Sequence, residues 1–303
     1  TYRQLDALAN RFAAWADATG LKRGDTVALL LPNRAEYVPA WIGLAKIGVA
    51  TALINNNLTG AALAHCLSIS NADHVITDTE SLDSIDTMRA VLARPLTYWV
   101  IDAPGALEES RRPLDLKEPR TPPERPAASR RAGLTANDVA LYIFTSGTTG
   151  MPKAAKITHM RAELYMRSFA AATGANAEDK IYCVLPLYHA TGGLCGVGSA
   201  LLKGGTVVLR RKFSTTHFWD DVADNGCTMF VYIGELCRYL VNAEAHSKER
   251  AHRLRLGFGN GLRPEVWSEF QQRFNVPRIL EFYGSTEGNV SMFNFDGHPG
   301  AIG

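Results

Sequence analysis

Short apolar runs alternate with stretches of helical periodicity along almost the whole chain, and this alternation restricts the fold more than any other feature. Strands separated by helices build βαβ units, which stack into a parallel sheet covered by helices, so the fold class is α/β. A helix opens the chain: Thr1 and Gln4 have capping-box spacing, and Leu5, Leu8, Phe12 and Trp15 recur at helical intervals until Gly20. Strand 27–31, helix 34–46, strand 51–54, helix 60–69, strand 74–77, helix 82–92 and strand 96–101 follow. After a break at 103–135 the pattern resumes with strand 139–144, a polar loop, a helix over 161–172, and strands at 181–185, 206–209, 229–232, 254–258 and 278–282. No internal repeat accompanies the alternation.

The break is rich in proline (Pro104, Pro113, Pro119, Pro122, Pro123, Pro126) and reads as a surface connection. Its arginines are diluted by Glu108, Glu109, Asp115, Glu118 and Glu124, which argues against a basic docking patch. It divides the chain into a first α/β subdomain at 1–102, the connection at 103–135, and a second α/β subdomain at 136–303. With 46% hydrophobic and 20% charged residues the chain has a globular composition, and a formal net charge of +2 gives no footprint for nucleic acid. The cysteines (Cys66, Cys183, Cys195, Cys227, Cys237) show no metal spacing and sit mostly in apolar runs, which fits a reducing compartment. No run approaches the ~20 apolar residues of a membrane span, and no signal sequence opens the chain. The chain begins at Thr1 without a methionine and stops in the run GHPGAIG, so it is expected to be a fragment of a longer protein.

The segment YIFTSGTTGMPK, residues 142–153, joins an apolar strand to a loop of Thr145, Ser146, Gly147, Thr148, Thr149 and Gly150, ending at Lys153. Free backbone N–H groups, hydroxyls and a terminal cation suit a polyphosphate. One unit charge pair at 4 Å is worth about 4 kcal/mol at an effective dielectric near 20, and a triphosphate offers several. The P-loop pattern GxxxxGK[ST] is not met, because Pro152 precedes Lys153 and Ala154 follows it. A second cluster, EFYGSTEGN at 281–289, again follows an apolar strand. There Tyr283 can stack on a purine, Thr286 can hydrogen-bond a phosphate, and Glu287 can ligate Mg²⁺, which takes few carboxylates beside phosphate oxygens. Between them GFGNGLRPE, residues 257–265, passes from a strand through a glycine turn into a helix near Pro264, where a flat base can lie against backbone. In PLYHATGG, residues 186–193, His189 precedes an apolar, glycine-rich helix. Neither Ser146 nor Ser285 lies in a GxSxG elbow, so a serine triad is a poor reading.

The loop 142–153 and the YGxTE element at 283–287 together resemble the adenylate-forming, AMP-binding superfamily. The run YIGELCRYL at 232–240 and the run 281–303 are similar to the fatty acid transport protein, or very-long-chain acyl-CoA synthetase, subfamily. The resemblance implies the large N-terminal domain of the acyl-CoA synthetase fold, two parallel-rich sheets flanked by helices, with a C-terminal domain outside the chain. It implies ATP, Mg²⁺ and coenzyme A, and a long-chain fatty acid as the acyl substrate. The catalytic set becomes Lys153, Thr286, Glu287 and His189, with His189 positioning the acyl carboxylate rather than acting as a base. Thr145 joins Glu287 in the metal set. The loop 145–150, Lys153, Gly259, Asn260, Gly261, Tyr283, Gly284, Ser285 and Thr286 form the nucleotide set, with the 259–261 turn against adenine. The family's ribose-binding aspartate and C-terminal lysine would lie beyond Gly303, so weak ATP binding and poor turnover are expected of the 303 residues alone. A cytoplasmic location, or a peripheral one at the cytoplasmic face of a membrane, is expected of the whole protein. The competing readings are a ligase delivering its acyl group to a carrier protein or amine, and a lipid-uptake protein with a vestigial ATP site.

Overall fold

The computed structural model describes residues 1–92, 94–103, 110–116, 124–146, 150–288 and 290–302. Contacts along the chain separate two compact units, Thr1–Ala162 and Glu163–Gly303.

The first unit runs α1 (Tyr2–Ala18), β1 (Thr26–Leu30), α2 (Tyr37–Ala45), β2 (Ala50–Leu53), α3 (Gly60–Ile69), β3 (His74–Asp78), α4 (Leu82–Met88), β4 (Thr97–Ile101), β5 (Arg111–Leu114), α5 (Ala128–Arg131), β6 (Val139–Thr145) and β7 (Lys153–Thr158). Helix α6 (His159–Ala172) then carries the chain into the second unit. The capping box at Thr1 forms as the sequence indicates: the Gln4 amide donates to the Thr1 hydroxyl at 3.3 Å and the Gln4 side chain answers. Among the described residues these strands form one sheet in the order β5-β4-β3-β1-β2-β6-β7, parallel throughout except for the β6–β7 pair. One sheet face packs Ala28, Leu30, Ala52, Ile54 and Val75 against Leu63 and Leu67 of α3 and Ile85 and Met88 of α4. On the other side α1 brings Trp15 edge-on to Trp99 of β4 at 5.2 Å. Helices α1 and α2 cross closely, because Gly43 leaves room where a Cβ would stand 2.2 Å from the Ala9 carbonyl oxygen.

The second unit holds β8 (Lys180–Cys183), a π-helix (Thr191–Val197), α7 (Gly198–Lys203), β9 (Thr206–Leu209), α8 (Thr215–Asp224), β10 (Met229–Ile233), α9 (Gly234–Val241), β11 (Leu256–Asn260), α10 (Pro264–Phe274), β12 (Ile279–Tyr283) and β13 (Met292–Phe293). Their order is β13-β12-β11-β10-β8-β9, with β13 alone antiparallel among this unit's described strands. Its core is aromatic: Trp219 lies 4.4 Å from Phe274, Phe218 4.8 Å from Trp219, and Phe230 5.7 Å from Phe270. Such pairs contribute about 0.5–1.5 kcal/mol each beyond the area they bury. At the N-terminal ends of the strands, buried Asp179 accepts two bonds from the Arg255 guanidinium (2.9 and 2.7 Å) and one from Thr228 (2.7 Å), tying the entries of β8, β10 and β11 together.

Three features differ from the sequence expectations. The run KAAKIT is strand β7, whereas the sequence reading passes from loop to helix; alanine and lysine are weak strand formers, and it is pairing with β6 that makes the strand. Within the proline-rich connection Arg111–Leu114 is strand β5, and Pro113 is tolerated there because β5 is an edge. The sequence starts its second subdomain at 136, whereas β6 and β7 hydrogen-bond into the first sheet and the contact division falls after Ala162. Among the described residues no helix is long and apolar enough to cross a membrane.

Candidate functional site

In the first unit the candidate loop is the tip of the β6–β7 hairpin. Thr145 ends β6, Lys153 begins β7, and the two face each other across the ladder. A loop hydroxyl and the loop's cation are thereby brought together by antiparallel pairing. Ser146 and Lys153 are exposed and Thr145 is half-buried. Gly150 has φ +116°, a conformation that favours glycine. From α3, the Nε2 of His65 meets the Pro152 carbonyl oxygen at 2.9 Å and fixes the far end of the loop. Gly147, Thr148 and Thr149 lie outside the described residues.

In the second unit the candidate residues sit at the C-terminal ends of adjacent parallel strands, where ligands of open α/β sheets bind. Register puts Tyr232 of β10, Gly259 of β11 and Glu281 of β12 in one row. A Cβ on Gly259 would lie 2.1 Å from the Tyr232 carbonyl oxygen and 2.6 Å from its ring. Because that side chain is absent, Glu281 reaches across β11: the Tyr232 hydroxyl donates to its Oε2 at 2.6 Å and the Leu262 amide to its Oε1 at 3.0 Å. Glu281 is only 3% exposed, and burial pushes its carboxyl above the usual range although these hydrogen bonds pull it down. Tyr232 is pushed up by burial and by the neighbouring carboxylate.

Glu281 thus pins the turn 260–262 from below. Gly261 takes φ +79°, and α9 must start with glycine, since a Cβ on Gly234 would lie 1.8 Å from the Gly261 carbonyl oxygen. The Asn260 Oδ1 is buried and has no hydrogen-bond partner among the described residues, an acceptor suited to an amino group such as that of a purine. Two residues beyond Glu281 on the same strand, Tyr283 is 53% exposed, as a stacking surface needs to be. Glu281 and Tyr232 escaped the sequence reading as site residues because only the strand register joins them to Gly259.

After β12 and Gly284 the chain turns at 285–288, closed by the Gly288 amide donating to the Ser285 carbonyl at 2.9 Å. Thr286 and Glu287 are the central residues of that turn; Ser285 and Glu287 are exposed and Thr286 half-buried. The hydroxyl of Tyr165, on α6, donates to the same Ser285 carbonyl at 2.7 Å, a contact no local motif announces. No group of three or more His, Cys, Asp or Glu that could hold a metal occurs among the described residues. A single exposed carboxylate beside hydroxyls fits Mg²⁺, a hard cation that keeps water and phosphate oxygens as its other ligands.

His189 lies just before the π-helix, its carbonyl accepting from the Gly193 amide at 3.0 Å. Its ring stands 4.6 Å from Tyr188, and although the residue keeps surface exposure, desolvation lowers its pKa below 6.5. A neutral imidazole fits positioning better than charge pairing. The π-helix that follows is packed tightly: a Cβ on Gly192 would lie 2.5 Å from the Pro186 carbonyl oxygen.

A family model described as AMP-binding enzyme matches residues 1–303. Human "Long-chain fatty acid transport protein 1" is 43% identical over 311 residues, covering 100% of this chain and 47% of that protein. Mouse "Long-chain fatty acid transport protein 3" is 42% identical over 294 residues, covering 94% of this chain and 43% of that protein. The chain spans about half the length of the curated relatives it matches. Among solved structures, the inhibitor-bound N-terminal domain of FACL13 from Mycobacterium tuberculosis superposes with a TM-score of 0.80 at 25% identity, covering 98% of this chain and 72% of that one. A benzoate CoA ligase from Burkholderia xenovorans LB400 shares the fold with a TM-score of 0.80 at 21% identity, covering 95% of this chain and 56% of that one.

Proposed function

The chain belongs to the AMP-binding enzyme family, and we propose that it supplies the nucleotide- and acyl-binding part of an ATP-dependent ligase converting a long- or very-long-chain fatty acid to its acyl-CoA. The observation that carries this is the pair of loops at strand ends, one ending in Lys153 and one presenting Thr286 and Glu287, each built on a sheet of its own unit. Similarity to fatty acid transport proteins supports a fatty acyl substrate. The proposal extends to the cytoplasm, or the cytoplasmic face of a membrane, as the place of action.

In this reaction a carboxylate oxygen of the fatty acid attacks the α-phosphorus of ATP, and the bond to the pyrophosphate oxygen breaks. The thiol of coenzyme A, losing its proton, then attacks the acyl carbon and displaces AMP. The carboxylate is already ionised at neutral pH, so no general base is needed for the first step. The protein's work is positioning and cancelling charge. Tyr283 offers its face to the purine and Asn260 an acceptor at its edge. Lys153 and the loop hydroxyls bind phosphate oxygens, Thr286 adds a hydroxyl, and His189 orients the acyl carboxylate. Glu287 would hold Mg²⁺, which when bound neutralises phosphate charge.

Fatty-acid-dependent pyrophosphate release by this chain, with the adenylate trapped by hydroxylamine as the hydroxamate, is the test. Slow release with long-chain fatty acids is expected, reduced about tenfold or more in Lys153→Ala, since one charged hydrogen-bonding contact is worth about 1.5–3 kcal/mol. Acceleration of AMP release by coenzyme A separates this ligase from one that delivers to a carrier protein or amine. Hydroxamate formation with aromatic or amino acids but not with fatty acids would overturn the substrate assignment.

A further inference from the structure

Helix α6 presents Tyr165 and Phe169 on one face, one turn apart. Phe169 is fully buried and meets Phe282 edge-on at 4.6 Å and Phe293 at 5.1 Å, rings of the two strands that lead into and out of the 285–288 turn. From this anchored position the Tyr165 hydroxyl reaches the turn itself, 2.7 Å from the Ser285 carbonyl oxygen, with those of Thr286 and Gly288 at 3.5 and 3.4 Å. One phenolic proton serves one acceptor well, and the shortest distance selects Ser285.

The same carbonyl accepts the Gly288 amide that closes the turn, so the closing oxygen carries two donors, one local and one from a distant helix. Gly288 is confined as well: a Cβ there would stand 2.8 Å from the Ser285 hydroxyl oxygen and 3.2 Å from its carbonyl oxygen. A short exposed turn held only by its own amide bond samples several conformations, and ordering it falls as a cost on ligand binding. A second donor from a packed helix removes part of that cost in advance.

We propose that Tyr165 is a positioning residue of the nucleotide site, its hydroxyl holding the Ser285 carbonyl so that the turn presents Glu287 in the orientation a magnesium–nucleotide complex requires. The proposal rests on the reading of Glu287 as the metal-side carboxylate. It assigns Tyr165 no contact with substrate. The hydroxyl, not the ring, carries the effect, and the effect belongs to the metal-bound nucleotide.

The experiment is calorimetric titration of this chain with ATP in Mg²⁺ and again in EDTA, for wild type, Tyr165→Phe, Tyr165→Leu and Glu287→Ala, with thermal melts confirming that each variant is folded. Tyr165→Phe is expected to weaken binding about fivefold in Mg²⁺, the worth of one hydrogen bond, and to leave binding in EDTA unchanged. Tyr165→Leu should show the same Mg²⁺-specific loss, and Glu287→Ala should lose the Mg²⁺ dependence altogether. If Glu287→Ala loses that dependence while Tyr165→Phe matches wild type, the positioning role is overturned and the functional reading stands. An equal loss in both buffers, or a loss confined to Tyr165→Leu, overturns it too, because the residue then acts only through general packing. If wild type fails to bind ATP, or Glu287→Ala keeps its Mg²⁺ response, the reading of the turn fails and the inference falls with it.

Discussion

In the first unit the candidate residues sit on a hairpin, and in the second they sit at the ends of parallel strands; the two arrangements ask different things of a sequence. Thr145 and Lys153 are near neighbours in the chain and meet because β6 and β7 are antiparallel and joined by the loop itself. Tyr232, Gly259 and Glu281 are far apart in the chain and meet only because three parallel strands hold one register. A hairpin motif therefore tolerates change in its sheet as long as the turn closes. A parallel row fails if any of its members is wrong, and its smallest member, Gly259, is the one that lets the other two touch.

The largest expected effect sets two alanines against each other. Gly43→Ala in the first unit puts a Cβ 2.2 Å from the Ala9 carbonyl oxygen, and Gly259→Ala in the second puts one 2.1 Å from the Tyr232 carbonyl oxygen. The steric insults are nearly equal and both face backbone, so each should cost about 3 kcal/mol, the upper end of ordinary overpacking. Their functional cost should differ. Gly259→Ala also pushes apart the Tyr232–Glu281 contact beneath the 260–262 turn, so the folded protein should lose ATP affinity about tenfold beyond anything Gly43→Ala does. Denaturant melts with ATP titration of the folded fractions check both halves. Equal ATP losses in the two variants would break the comparison.

A smaller effect separates the two ends of the second sheet. Asp179 gathers Arg255, Thr228 and the Asn176 amide at the N-terminal ends of β8, β10 and β11, away from the C-terminal ends where the candidate nucleotide residues lie. Asp179→Asn keeps the shape and removes the charge from a buried, multiply bonded carboxylate, which should cost about 2–3 kcal/mol in a denaturant melt. ATP affinity should be unchanged in the folded protein. A matching loss of affinity would show that the polar networks at the two ends of this sheet are not separable.

The same contrast explains which parts of the molecule are legible in the amino-acid sequence. The hairpin loop is legible because its chemistry is contiguous: hydroxyls, glycines and a lysine follow one strand. The capping box at Thr1 and strand β9 are legible for the same local reason. Strand β7 is not, because the alanines and lysines of KAAKIT give it little strand preference of its own and it is shaped by its partner. Glu281 stands in full view at the head of a motif, yet the sequence marks Tyr283, Thr286 and Glu287 and passes over it, since nothing local shows a carboxylate reaching two strands away. Tyr165 is still less visible: its partner is a backbone carbonyl more than a hundred residues on, and a carbonyl has no sequence signature.

The smallest expected effect tests the row through pH. Burial raises the Glu281 carboxyl above its ordinary value of 4.5, against the pull of the bonds from Tyr232 and from the amides of Leu262 and Gly261. Between the unfolded value and the raised folded one, the native state holds a proton that the unfolded chain has released, so stability falls as pH rises through that window. The contribution is full below 4.5, declines as pH climbs through the folded value, and is level above it. Glu281→Gln cannot titrate, so its stability should lack this decline, and the difference between wild type and variant should change with pH only inside the window. The Gln side chain also cannot accept from both Tyr232 and Leu262, so the variant should show a pH-independent loss above the window's reach. Tyr232→Phe removes one of the bonds that pull the carboxyl down, so it should carry the window to higher pH. A window that stayed put in Tyr232→Phe would mean that Glu281 does not depend on the far end of its row, and the second sheet would then be no more cooperative than the hairpin of the first.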